Sequence, residues 1–513
     1  MPSCTIIPIS RDHNPFGRDG VGTDDAGAPR FEDLPASLLE LIRRNADDDP
    51  DGEALLELGG ERLTHRELWD RSARVAGGLR AAGVERGDRV AVRYPAGVDW
   101  VFAFWGVLMA GGIVVAVNTR STQPEVEFIL GDSGTTVDLA ADTPLPDGDP
   151  FVVDDLARGD VAAFFYTSGT TGSPKGVPTT HEAFLTNTAN VSRCFAIPPD
   201  IGAELRTLIS VPLFHVTGCN SQLLVATYYG GTSVIMPVLD QATLLASLSQ
   251  QRISFMVTVP AVYALLLRNP AFETTDTSGV RWVAYGGAPI APVLVSAIQQ
   301  AFPNARVSNG YGMTETASLM TVLPHEDAVD HADSVGYAVP SVDLAIEPLD
   351  DADPSLGELV ARGANVTTEY WQRPQATVDT IIDGWLHTGD IVRVDDAGRI
   401  HVVDRIKDII NRGGENVSSI EVESALLAAP GVAEAAVLAV PDDVMGEKVG
   451  AVLYGGGEEI DVAAVLASVR ESIADFKVPQ YVALLDEPLP RNPGGKIVKG
   501  RIRESVVWGD PLR

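Results

Sequence analysis

Residues 100–117 form an unbroken apolar run of 18 positions, glycines counted. A run of that length belongs either in a bilayer or in a protein core. It stands at the lower edge of what spans a membrane as a helix. Gly111 and Gly112 interrupt it, and the β-branched Ile113, Val114, Val115 and Val117 follow. A glycine pair turns the chain, and β-branched residues favour strand. The run therefore reads as a buried helix, a turn and a core strand. No transmembrane segment is expected, and the chain is read as soluble.

The surrounding pattern agrees with a layered α/β protein. Apolar positions at helical spacing pass through Leu38, Leu39, Leu41 and Ile42, and recur between residues 68 and 79. Residues 89–93 read as a strand, and helix–strand alternation continues to about residue 340. That alternation predicts largely parallel sheets covered by helices. The acidic, proline-containing stretches 142–155 and 347–354 read as loops. Ala397, Gly398 and Arg399 read as a turn between strands at 391–394 and 400–403. Beyond Arg405 the texture becomes a compact βα unit, which puts a boundary at 403–408. The expected organisation is a flexible lead-in over 1–33, rich in Gly, Asp and Pro, a large domain over 34–403 and a small α+β domain over 404–513.

Charge and cysteine usage narrow the functional classes. Thirty-eight basic against 70 acidic residues leave a net charge of −32, which argues against a nucleic-acid backbone or an anionic membrane as partner. The three cysteines, Cys4, Cys194 and Cys219, are widely spaced and build neither a disulfide framework nor a zinc ligand set. The first twenty residues lack a long apolar run behind a basic start, so a cytoplasmic setting is expected. Lysine is scarce, six residues in all, so the places where it stands are informative.

One of them closes the strongest local signal. A short apolar strand, Phe164-Phe165-Tyr166, runs into Thr167, Ser168, Gly169, Thr170, Thr171, Gly172, Ser173, Pro174, Lys175 and Gly176. Glycines let backbone N–H groups approach phosphate oxygens, hydroxyls add donors and the lysine adds charge. Such a loop can grip a polyphosphate. It lacks the Gly-Lys-Ser/Thr ending of a P-loop, and by composition alone a small-residue surface loop fits equally well.

The order of residues in this stretch resembles the phosphate-loop signature of the adenylate-forming superfamily, which comprises acyl-CoA synthetases, peptide-synthetase adenylation domains and firefly luciferase. Further superfamily motifs follow in the expected order: Val211 to His215, Tyr285 to Pro289, Asn309 to Thr316, Gly384 to Asp390, Asp404 to Asp408 with Arg412 to Asn416, and Pro490 to Lys496. The resemblance covers the chain from about residue 34 onward. It implies a large N-terminal AMP- and acyl-binding domain of helix-covered sheets and a mobile α+β C-terminal domain.

The resemblance also implies site roles. Thr167 to Gly172 and Lys175 would hold the phosphates of ATP, with Gly287, Ala288, Pro289, Asn309, Gly310, Gly312 and Met313 lining the nucleotide. Tyr311 would stack on adenine, Thr314 would meet phosphate and Glu315 would ligate Mg²⁺, a hard ion that needs oxygen ligands. Asp390 and Arg405 would bond the ribose hydroxyls. His215 would line the acyl site, and Lys496 would offset charge in the adenylation transition state. Lys407 stands at the hinge position, where rotation exchanges Lys496 for a loop of Arg412, Gly413, Gly414 and Glu415 along the channel for coenzyme A. Taken singly, these residues have plainer readings: a core tyrosine, a hydrogen-bonded core histidine, a surface ion pair and a solvated lysine.

The implied reaction joins a carboxylic acid to a thiol through an acyl-adenylate. The segments that select the acid are mostly apolar or small, with Val216, Thr217, Gly218, Val259, Pro260, Ala288, Ala317 and Leu319. Cys219 stands where some long-chain synthetases carry a gating tryptophan. No arginine for a second carboxylate is evident. The expectation is a medium- to long-chain fatty acid, with an aryl acid of the 4-coumarate type as the alternative. Carrier-protein loading, a luciferase-type oxygenase and a non-enzymatic nucleotide-binding module are the rivals. A homodimer is left open.

Overall fold

The computed structural model describes residues 6–167, 174–288, 290–350, 352–413, 415–442, 444–491 and 497–512. Its centre is a nine-stranded sheet ordered Tyr337–Ala338, Thr321–Leu323, Arg306–Tyr311, Trp282–Gly286, Phe255–Thr258, Arg206–Ile209, Thr232–Ile235, Glu53–Glu57 and Arg62–Thr64. The six strands from Arg306–Tyr311 to Glu53–Glu57 run parallel, and the strands at both edges pair antiparallel. In open parallel sheets the crevice at the carboxyl ends of the strands is where ligands bind. Here Gly286 and Tyr311 end two neighbouring strands.

A second, five-stranded sheet runs Lys175–Thr180, Val161–Thr167, Ile113–Ala116, Arg89–Arg93 and Thr135–Ala140. The apolar run lies beside it. Val98–Met109 is a helix in which every residue except Asp99 is buried, and Ile113–Ala116 is the strand that follows. Trp100 stacks on Phe104 at 5.3 Å, and the run joins a core with the helices Leu38–Asp48 and His65–Ala81. The latter begins with a capping box, Thr64 and Glu67 satisfying each other's backbone N–H groups. Among the described residues no helix is long and apolar enough to cross a membrane.

The third sheet is antiparallel: Ile7–Pro8, Val342–Pro348, Leu356–Gly363, Trp385–Val394 and Ile381–Ile382, with Ile400–Arg405 paired to Trp385–Val394. Beyond it the chain forms another five-stranded sheet from Ile410–Arg412, Glu415–Val417, Glu434–Asp442, Gly446–Tyr454 and Tyr481–Leu485, with its own apolar core.

The N-terminal segment differs from its composition. Where Gly, Asp and Pro predict a mobile lead-in, residues 6–33 lie against the body of the protein. Ile7 pairs with Ile346, and Phe31 is buried in the core. The Arg11 guanidinium donates to the carbonyls of Ala338, Val339 and Val342 at 3.1–3.3 Å. One cation satisfying three carbonyl oxygens anchors a segment that has almost no hydrophobic periodicity.

Glycines 106 and 131 offer a paired test of packing. A Cβ on Gly106 would lie 2.4 Å from Val75 Cγ1, whereas one on Gly131 meets nothing within 4 Å. Both sit in helices, so alanine brings each up to about 1 kcal/mol of helix propensity. Gly131→Ala should raise the unfolding midpoint. Gly106→Ala should lower stability by about 1–2 kcal/mol, because overpacking outweighs that gain. Chemical denaturation of the two variants checks this.

Candidate active site

The hydroxyl-rich loop is the connection of a hairpin. Thr167 pairs with Lys175 and Tyr166 with Gly176 across Val161–Thr167 and Lys175–Thr180. Ser168, Gly169, Thr170, Thr171 and Gly172 lie outside the described residues, as do Pro289, Gly414 and Lys496. Lys175 Nζ sits 4.4 Å above the Tyr370 ring, within cation–π range. Tyr370 Oη donates to Glu315 Oε1 at 2.7 Å, and burial next to that carboxylate pushes the phenol pKa up. Backbone bonds complete the tie: Thr367 N–H to the Glu315 carbonyl at 2.7 Å and Trp371 N–H to the Gly176 carbonyl at 2.9 Å. Tyr370 thus links Lys175, read as a phosphate ligand, to the carboxylate read as a metal ligand.

Glu315 lies in a single 3-10 turn, Thr314–Thr316, directly beyond the strand Arg306–Tyr311. A Cβ on Gly312 would meet the Ser318 carbonyl at 1.5 Å, so only glycine fits there. Ala317 and Ser318 follow with φ of 49° and 120°, a region that non-glycine residues rarely adopt. Their neighbours hold them. Asn220 Nδ2 donates to the Ala317 carbonyl at 2.8 Å, and the Ser221 and Ser318 hydroxyls meet at 2.8 Å. Asn365 Nδ2 donates to the carbonyls of Thr316 and Leu319 at 2.8 and 2.9 Å. Such strain persists only where surroundings over-determine it, and it clusters at functional sites.

Tyr311, Asp390 and Arg405 come together. Tyr311 Oη donates to Asp390 Oδ2 at 2.5 Å, and Arg405 Nε donates to Asp390 Oδ1 at 2.7 Å. Asp390 and Arg405 are partners across Trp385–Val394 and Ile400–Arg405. Burial and the nearby carboxylate raise the Tyr311 pKa. Each carboxylate oxygen carries two lone pairs, so Asp390 can still accept two further hydrogen bonds. Nearby, Gly286 and Gly310 approach so closely that a Cβ on Gly286 would meet the Gly310 carbonyl at 2.2 Å. Gly287 has φ +75°, Ala288 is exposed, and Asn309 is buried with Nδ2 donating to the Ser334 carbonyl at 3.4 Å.

His215 precedes the short helix Val216–Gly218, its ring 4.8 Å from that of Phe214. Behind it Cys219–Leu223 forms a π-helical turn, a geometry that often marks functional sites. That turn buries three successive polar side chains, Asn220, Ser221 and Gln222. Gln222 Oε1 accepts from Thr207 at 3.3 Å, while its Nε2 has no hydrogen-bond partner among the described residues.

Lys407 is exposed in the turn Ile406–Asp408. Across this junction, Ser418 Oγ donates to the Val403 carbonyl at 2.6 Å, and the backbone N–H of Ser419 donates to Asp404. Lys499 Nζ bonds Ser419 Oγ at 2.6 Å and Glu423 at 2.7 Å. Arg412, Gly413 and Glu415 belong to a hairpin in the C-terminal sheet, a different sheet from those that carry Glu315 and Asp390.

Sequence reading missed Tyr370 and Asn365. The one available signal was the aromatic pair Tyr370-Trp371 in an otherwise polar loop.

Comparison with known proteins converges on one family. The chain matches the model for AMP-binding enzymes over residues 42–149 and 138–371, and that for the AMP-binding enzyme C-terminal domain over 421–496. It is 36% identical to feruloyl-CoA synthase of an Amycolatopsis species, over 87% of this chain and 94% of that protein. It is 33% identical to a long-chain-fatty-acid–CoA ligase of Mycobacterium tuberculosis, over 90% and 97% of the two chains. Among solved structures it resembles o-succinylbenzoate CoA synthetase from Bacillus subtilis, in complex with its acyl-adenylate intermediate. The TM-score is 0.83 at 27% identity, covering 93% of this chain and all of that one.

Tyr370→Phe keeps the ring beneath Lys175 and removes the donor to Glu315. A hydrogen bond to a buried carboxylate contributes about 1.5–3 kcal/mol. The unfolding free energy should fall by that amount, measured by denaturant titration, and an unchanged value would refute the link.

Proposed function

The chain belongs to the AMP-binding enzyme family, and from that premise we propose that it is an acyl-CoA ligase that activates a hydrophobic monocarboxylic acid. The carboxylate attacks the α-phosphorus of ATP and pyrophosphate leaves, giving a mixed anhydride. The sulfur of coenzyme A then attacks the acyl carbon and AMP leaves. The observation that carries this reading is the convergence of Lys175, Tyr370 and Glu315 at one point and of Tyr311, Asp390 and Arg405 at another.

In this reading Thr167 to Gly172 and Lys175 hold the phosphates, and Thr314 adds a hydroxyl contact. Tyr311 packs on adenine among Gly287, Ala288, Pro289, Asn309, Gly310, Gly312 and Met313. Asp390 accepts from the ribose hydroxyls while Arg405 fixes its orientation. Magnesium fits the donor chemistry at Glu315, a buried carboxylate whose Oε1 accepts from Tyr370 and whose Oε2 has no hydrogen bond to another described residue. Bound there, it would spread the charge of the triphosphate. His215 faces the acid, Lys496 serves adenylation, Lys407 is the hinge between domains meeting at 403/404, and Arg412 to Glu415 serve the thiol half-reaction.

Small and apolar residues at 216–218, 259–260, 288, 317 and 319 support a medium- to long-chain fatty acid as substrate. A second reading, an aryl acid, is favoured by the 36% identity to a feruloyl-CoA synthase.

Pyrophosphate release across a panel of carboxylic acids should be highest with fatty or aryl monocarboxylates. Preferred turnover of dicarboxylic or amino acids would overturn the substrate reading. Lys496→Ala should slow acyl-adenylate formation by about 10²–10³, the size of one lost transition-state contact. Given presynthesised acyl-adenylate and coenzyme A, it should form thioester at close to the normal rate. Equal impairment of both half-reactions would contradict an exchange of domain poses.

A further inference from the structure

The strand that carries Asp390 is irregular where it matters. Along the pair Leu356–Gly363 and Trp385–Val394, Val360 faces His387 and Glu358 faces Ile391. One residue, Leu359, therefore stands opposite three, Thr388, Gly389 and Asp390. Two extra residues bulge out of the strand, and Gly389 takes φ +73°, the left-handed value that suits glycine. A bulge re-aims a side chain, and it also leaves backbone groups without ladder partners.

Side chains supply the missing partners. The Gly389 N–H donates to Glu358 Oε1 at 2.8 Å. The Asp390 N–H donates to Thr388 Oγ1 at 3.1 Å, and that hydroxyl donates to the Leu359 carbonyl at 2.7 Å. Glu358 is itself fixed from the other side, since His387 Nδ1 lies 2.9 Å from its Oε2 and 3.3 Å from Glu347 Oε2. Glu347 and Glu358 are direct cross-strand partners, a like-charge pairing that is destabilising alone. The imidazole between them offsets it, and both carboxylates raise the histidine pKa.

We propose that Glu358 is a positioning residue for the nucleotide ribose: its carboxylate, oriented by His387, holds the Gly389 amide at the apex of the bulge and so aims the Asp390 carboxylate. The proposal rests on the reading of Asp390 as the acceptor of the ribose hydroxyls. Glu358 reaches substrate only through Gly389 and Asp390. It supports binding that is common to ground and transition states, so its loss raises KM more than it lowers kcat.

The test compares ATP with 2′,3′-dideoxy-ATP in the full-length enzyme and in Glu358→Ala and Glu358→Gln. Wild type should favour ATP. In Glu358→Ala, KM for ATP should rise about tenfold with kcat within about twofold, while KM for the dideoxy nucleotide stays unchanged. Glu358→Gln keeps an acceptor for the Gly389 amide and should recover most of the loss. Hydrogen exchange at the Gly389 amide should quicken in the alanine variant and stay protected in the glutamine variant. An equal KM rise for both nucleotides, or a loss confined to kcat, overturns the positioning role while leaving the ribose reading in place. A wild type indifferent to the ribose hydroxyls overturns the ribose reading, and the proposal with it.

Discussion

A single buried carboxylate, that of Asp390, is where three parts of the structure meet. Tyr311 reaches it from the end of a parallel strand in the central sheet, Arg405 from the last strand before the junction, and the bulge of its own strand presents it. An ionised carboxylate withdrawn from water is costly unless paired and hydrogen-bonded. Asp390 meets that condition only if all three segments are in place. The central sheet and the antiparallel sheet are therefore not independent layers. The position of one fixes where the other must put its acid.

A comparable logic operates around Glu315. The strained Ala317 and Ser318 hold Glu315 and the residues after it in a conformation the backbone would not choose. Bonds from Asn220, Ser221 and Asn365 offset that strain. Two of these three come from the π-helical turn behind His215. The turn after His215 and the turn after Glu315 are thus mechanically joined. Strand ends on a rigid parallel sheet provide the foundation on which this irregular backbone is held.

This architecture explains which features were legible in the amino-acid order. The run at 100–117 was legible because burial writes itself as a continuous apolar stretch, broken where the chain turns. Lys175, Glu315, Asp390 and Arg405 stand out as candidates because each lies inside a contiguous motif. Tyr370 and Glu358 do not, since each acts across tens of residues on a partner that sequence spacing does not reveal. The docked N-terminal segment escaped notice for a related reason. Arg11 binds backbone carbonyls, and a carbonyl looks the same whichever side chain it belongs to.

The choice of acid rests on a different kind of contact. An apolar wall distinguishes one methylene from none by only about 1–3 kcal/mol, so a small, greasy lining admits a range of chain lengths. A buried amide discriminates far more sharply, because a ligand that leaves it unpaired forgoes a hydrogen bond the site has already desolvated. The small and apolar residues read as lining the acid, Val216, Val259, Pro260, Ala288, Ala317 and Leu319, therefore disfavour a second charge without choosing between an alkyl chain and an aryl ring.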